Sequence, residues 1–186
     1  MRGKARIAAP AALILALSAC TAGPGDTEQP LRGVLTTPTD IDLDWTQARP
    51  GVDGYVLEFA TEEAGPYTVL DHLPPQVSAY HHPDLLPHTT FRYRLRAYRG
   101  PVSRPVRAEL PDGIRFTWTD DSTNEDGFLL EMRKQDSDRY DPVAVVEPDV
   151  VHTTLVTLPG EKQATFRIRA IVLGEQSNVV RLTTGE

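Results

Sequence analysis

Residues 118–133 read WTDDSTNEDGFLLEMR, and the stretch has the look of a calcium loop: oxygen-bearing side chains crowd a glycine and a glutamate follows. The helix–loop–helix calcium pattern tests that impression. With Gly127 at the sixth position, Ser122, Asn124 and Asp126 take positions one, three and five. The twelfth position, which needs a bidentate glutamate, is then Arg133, a cation. The remaining calcium reading is an irregular site built on Asp120, Asp121 and Asp126. However, Phe128, Leu130 and Met132 alternate with Leu129, Glu131 and Arg133, which is the period of a strand and not of a helix. Asp, Asn, Ser and Gly before such a strand suit a tight turn whose side chains cap their own backbone. The stretch is therefore expected to be a loop between two strands.

An earlier part of the chain has the same layout. Trp45 and Trp118 are 73 residues apart, as are Gly54 and Gly127, Glu58 and Glu131, and Ala97 and Ala170. A constant register over that length is an internal duplication. In both copies short segments alternate apolar with polar residues. Ile41, Leu43 and Trp45 match Ile114, Phe116 and Trp118; Tyr55, Leu57 and Phe59 match Phe128, Leu130 and Met132. Phe91, Tyr93, Leu95 and Ala97 alternate with Arg92, Arg94 and Arg96. Pro and Gly recur every ten residues or so, excluding long helices. Short half-buried strands at this spacing predict an all-β sandwich or barrel, once per copy.

Over nearly all of residues 32–186 both copies resemble the fibronectin type III family. The residues that carry the resemblance are LDW, GYVLEFA and LLPHTTFRYRLRAY in the first copy, and FTWTDDSTNEDGFLLEMR, TFRIRA and SNVVRL in the second. The resemblance implies two tandem immunoglobulin-like β-sandwiches, 32–110 and 111–186. It also implies a fold without disulfides, in keeping with a single cysteine, Cys20. Two departures stand out. The family's corner tyrosine falls at Phe91 and Ala164, so both corners are expected to be loose. A last strand near Arg104–Leu110 leaves only Pro111, Asp112 and Gly113 before Ile114. The second domain therefore either lacks its first strand or shares one segment with the first, and the short junction predicts a stiff rod.

The N-terminus reads as an export signal over residues 1–19: Arg2, Lys4 and Arg6, then an apolar run from Ile7 to Leu17 too short to span a bilayer. It ends Leu-Ser-Ala-Cys, which resembles a bacterial lipoprotein signal. In that reading Cys20 is acylated by palmitate-type chains and anchors the protein in a membrane. Thr21, where many inner-membrane lipoproteins carry Asp, favours an outer membrane. Residues 20–31 would be the lipidated cysteine and a flexible tether of about 17–20 Å. Removing residues 1–19 takes the formal charge from −7 to −10, unsuited to nucleic acid.

Candidate chemistry is sparse. There is no Gly-x-Ser-x-Gly elbow, and Asp42 and Asp44 fall on an outward strand face, so no catalytic role is expected. His81 and His82 point to opposite faces of a strand and cannot readily share a metal, with or without His72. No cofactor is implied. Arg92, Arg94 and Arg96 form an outward cationic stripe that would suit an anion or acidic glycan. Cross-strand pairing with Glu58, repeated as Glu131 with Arg167 and Arg169, also accounts for them and is the simpler expectation. Trp45 and Trp118 are expected in the cores, which leaves Tyr80, Tyr98 and Tyr140 as surface rings. The expected function is a lipid-anchored spacer or protein-interaction module of the cell envelope. A carbohydrate-binding accessory is the alternative.

Overall fold

A computed structural model describes residues 30–46, 50–159 and 161–186. Cys20, the signal and most of the tether lie outside them. The described chain is all-β, with fourteen strands and one 3-10 turn at Glu161–Gln163. In the first copy, β1 (Arg32–Thr37), β2 (Asp40–Asp44) and β5 (Ala79–His82) form one sheet. Facing it are β3 (Gly54–Ala60), β4 (Thr68–Leu73) and β6 (Thr90–Arg99). The second copy repeats this with β8 (Val106–Leu110), β9 (Gly113–Thr117) and β12 (His152–Val156) against β10 (Gly127–Arg133), β11 (Asp141–Val146) and β13 (Thr165–Gln176). Two short strands remain, β7 (Val102–Ser103) and β14 (Val180–Thr183).

Period-two alternation sets each core. Trp45 with Tyr55, Leu57 and Tyr93 fills the first, and Trp118 with Phe116, Phe128 and Phe166 fills the second. The two tryptophans are 4% and 8% exposed. Both are core residues, as the alternation predicts.

The two copies exchange their closing strands. β6 and β13 lie antiparallel side by side, with Arg99 opposite Val172. Those two positions are one repeat apart, so a pseudo-twofold axis passes through the pair. Beyond the axis each copy continues onto the other copy's sheet. After β6 the chain enters β7, which pairs with Ile168 and Arg169 of β13. After β13 it enters β14, which pairs with Thr90–Tyr93 of β6. The result is one sheet running β11-β10-β13-β6-β3-β4 through both sandwiches, with β7 and β14 beside it. Glycine allows the crossing: a Cβ on Gly100 would collide with the Ala170 carbonyl, and one on Gly174 would press on the Ala97 carbonyl at 3.2 Å.

This arrangement corrects the expected strand assignment. Residues 106–110 do not close the first sandwich. They pair with β9, with Leu110 opposite Gly113, and form the first strand of the second sandwich. Pro111 and Asp112 are therefore a two-residue hairpin turn and not a linker. The first sandwich is closed by β14, whose Val180 and Leu182 pack against its core. A division at 110/111 cuts a hairpin and assigns β14 to the wrong core. The reason is energetic: β9 needs a partner on its free edge, and a hairpin supplies one with almost no loop-closure cost.

The corners are also tied. Phe91 and Ala164 are buried at the corner positions, but other side chains replace the missing tyrosine. In the first sandwich the Thr184 hydroxyl donates to the Leu86 carbonyl at 2.6 Å and accepts from the Thr89 amide at 2.9 Å. In the second, Arg107 donates to the Lys162 carbonyl at 2.7 Å, and the Lys162 ammonium donates to the Leu110 carbonyl at 3.0 Å. The C-terminal return is further fixed by Asn178, whose amide donates to the Leu31 carbonyl at 2.9 Å and accepts from the Leu31 amide at 2.8 Å.

Candidate functional site

The outer face of the shared sheet carries the same ion pair twice. Glu58 lies opposite Arg94, and Glu131 opposite Arg167, because β3–β6 and β10–β13 hold the same register. Arg94 grips Glu58 with two hydrogen bonds of 2.7 and 3.0 Å, and its guanidinium lies 3.9 Å from the Tyr67 ring centre. Arg167 donates to Glu131 at 2.6 Å and lies 3.9 Å from Tyr140. Tyr67 and Tyr140 are again 73 residues apart. Each unit is thus a carboxylate, an arginine and an aromatic face, the arginine serving the other two at once.

The stripe Arg92, Arg94 and Arg96 is engaged within the protein. Arg92 donates to the Thr61 carbonyl at 2.6 Å and Arg96 to the Gly174 carbonyl at 3.2 Å. The bond with Glu58 holds the Arg94 guanidinium above its ordinary pKa. Cross-strand pairing with Glu58 therefore accounts for Arg94, whereas Arg92 and Arg96 are held by backbone carbonyls.

At the junction the pattern gains a third member. Arg169, 7% exposed at its side chain, lies 3.0 Å from Asp53 of the first copy and 3.3 Å from Glu131 of the second. It also donates to the Gly100 carbonyl at 2.8 Å. A cleft of about 290 Å³ opens above it, lined by Asp53, Glu131, Asp138, Arg139, Tyr140 and Arg167 among others. Its mixture of both signs favours neither anion nor cation. Beneath the junction Val56, Tyr98, Leu129 and Ile171 form an apolar cluster. Tyr98 is fully buried, which corrects its expected place on the surface. Burial, followed by the nearby Glu131 charge, raises its pKa. Gly54 makes room for its ring, since a Cβ there would collide with the hydroxyl.

The acidic loop is a structural turn. Asp120 accepts from the Ser122 amide at 2.9 Å, and Asp126 accepts from the Leu173 amide at 2.8 Å. The first copy repeats the second bond, Asp53 accepting from the Gly100 amide at 3.0 Å. These carboxylates fasten each loop to the strand that crosses the junction. Carboxylate oxygens of Asp120, Glu125 and Asp149 come within 4.8 Å of one another, a different trio from the Asp120, Asp121 and Asp126 considered from spacing.

The histidines separate as strand geometry requires. His81 faces outward, 2.6 Å from Asp42, and that bond raises its pKa. His82 turns in among Phe59, Phe91 and Tyr93, with Nδ1 2.9 Å from the Tyr93 hydroxyl. Burial lowers its pKa, and burial likewise lowers that of His72. Tyr80 is half-buried beside His82. Tyr67, which alternation does not single out, is detectable only as the partner of Tyr140 at the repeat distance.

No family model and no curated protein matches the sequence. Among solved structures, an Fn3-like protein from Clostridium thermocellum is similar at 25% identity over 39% of this chain and 74% of its own, with a TM-score of 0.35. A two-domain fibronectin type III segment of chicken tenascin is 16% identical over 84% of this chain and 99% of its own, at 0.34. The FN1-FN3 domains of chicken CNTN1 are 14% identical over 86% and 67%, at 0.33. At these scores nothing about ligand or partner transfers. The strand order itself is that of two fibronectin type III-like sandwiches.

Proposed function

We infer that the chain is a non-catalytic, lipid-anchored module of the cell envelope that acts as a rigid spacer and presents a protein-binding surface. The observation that supports this most is the passage of β13 through both sandwiches, backed by the Asp53–Arg169 ion pair and the Val56–Ile171 cluster. A sheet shared in this way has no hinge, so the two sandwiches would carry a binding surface as one body at the end of the tether from an anchor at Cys20. A sugar-binding role gains no support: Arg94 and Arg167 cover Tyr67 and Tyr140, and Tyr98 is buried.

Two measurements test the reading. Small-angle scattering of the soluble chain should fit one rigid body, and NMR relaxation should give both halves the same tumbling time. Independent tumbling of the halves would refute the spacer. Cys20→Ala should abolish incorporation of labelled fatty acid and release the protein from membranes; unchanged labelling would remove the anchor.

A further inference from the structure

The pseudo-twofold relation between the sandwiches fails at one sheet edge. In the first sandwich β14 covers Thr90–Tyr93 of β6. The counterpart edge, residues 163–166, carries no strand among the described residues. β7 pairs only with Ile168 and Arg169 before Arg104 and Pro105 take the chain to the opposite sheet. A side chain occupies the place instead. Arg107 stands opposite Phe116 as Gly33 stands opposite Leu43, and Leu43 and Phe116 are one repeat apart. At Gly33 a Cβ would meet Val180 and Leu182 at 2.9 and 3.0 Å, so glycine leaves room for β14. Arg107 fills the matching room. Its guanidinium donates to the Lys162 and Ala164 carbonyls at 2.7 and 3.5 Å and lies 5.4 Å from the Phe166 ring centre.

We propose that this edge of the second sandwich is a docking site for an extended segment of a partner protein, and that Arg107 is its displaceable cover. The first sandwich defines the occupant's chemistry. Val180 and Leu182, two residues apart, lie opposite Tyr93 and Phe91 and pack into the core. The counterparts of Tyr93 and Phe91 are Phe166 and Ala164, so the open edge takes a similar alternation, antiparallel to β13. Ala164 is smaller than its counterpart Phe91, so the occupant's residue opposite it would be the larger of the two. The carbonyls that Arg107 now satisfies are acceptors for the incoming strand's N–H groups, as in other strand additions to a sheet edge. Arg107 is about one third exposed and 3.6 Å from Glu109, so its guanidinium is rehydrated next to an acid while the incoming N–H groups take over the carbonyls it leaves. The occupant comes from a partner and not from β14 of a second copy, because Thr184 and Asn178 fasten that strand in its own sandwich. The proposal rests on the reading of the chain as an interaction module, and its test is independent of anchor and stiffness.

The probe is a labelled peptide with the sequence of residues 178–186, titrated by fluorescence anisotropy into the full-length protein in detergent. Arg107→Gly and Arg107→Ala should bind it at least tenfold tighter than the parent. Amide shift changes should be confined to residues 162–167 and the facing strand β8. Melting curves establish that each variant is folded, and the shift map on the parent protein stands even if neither is. A peptide with both apolar positions changed to Asp should not bind. The proposal is overturned by absence of saturable binding, by equal binding of the Asp peptide, or by shifts that map to β6. Self-association of the Arg107 variants without peptide would also overturn it, by making a second copy the occupant.

Discussion

The Thr184 hydroxyl lies 2.6 Å from the Leu86 carbonyl and 2.9 Å from the Thr89 amide, joining the C-terminal strand to the loop that enters β6. Thr184 is 3% exposed, and its removal strips part-buried hydrogen bonds from the Leu86 carbonyl and the Thr89 amide. Thr184→Val should cost about 1–3 kcal/mol, read as a lower urea midpoint with an unchanged slope. A change below about 0.3 kcal/mol would show that the corner is held by packing alone.

Glu131 and Glu58 are repeats of each other with unequal surroundings. Glu131 is 2% exposed and serves both Arg167 and the buried Arg169, whereas Glu58 is 8% exposed and serves Arg94 alone. Glu131→Gln should therefore cost about 1.5–3 kcal/mol, the range for hydrogen bonds to charged groups, because Arg169 keeps Asp53 as its partner. Glu58→Gln should cost clearly less. Equal losses in chemical denaturation would contradict the burial argument.

Truncating Trp45 or Trp118 to Ala should cost about 3–5 kcal/mol. Because the sandwiches share a sheet and exchange strands, either change should lower a single cooperative transition. Calorimetry that resolves two transitions, only one of them displaced, would show that the halves unfold separately.

Acid should destabilise the fold. His82 and His72 are held neutral by burial, with pKa values below the ordinary 6.5. Their contribution is complete above about 6.5 and is lost as pH falls through the lowered folded values. His81 acts in the opposite sense: its raised pKa adds stability below about 6.5, lost as pH rises through the folded value. It is exposed, so the half-buried pair should dominate. Urea unfolding at pH 7.5 and 5.0 should show lower stability at the acidic pH, and His82→Phe should shrink the difference. Greater stability at pH 5.0 would mean that the exposed His81–Asp42 pair outweighs both half-buried rings.

The alternation in Phe128–Arg133 and Phe91–Ala97, and the repeat that relates Trp45 to Trp118, determined by themselves the all-β class, the duplication and the buried faces. These are local properties, since successive strand residues point to opposite sides and only one side can be apolar against a core. The Glu58 and Glu131 pairings were legible for the same reason, because a fixed register places Arg94 and Arg167 across from them. Only the tertiary structure decided which strand closes which sandwich. Val180–Thr183 and Val106–Leu110 have equally suitable patterns for either copy, and alternation says nothing about a partner many residues away. The choice depends on where two glycine backbones pass closely enough for β6 and β13 to pair, and on whether Gly33 or Arg107 faces the vacant edge. Tyr98 followed the same logic. Its alternation placed it outside its own sandwich, and the neighbouring sandwich then covered it.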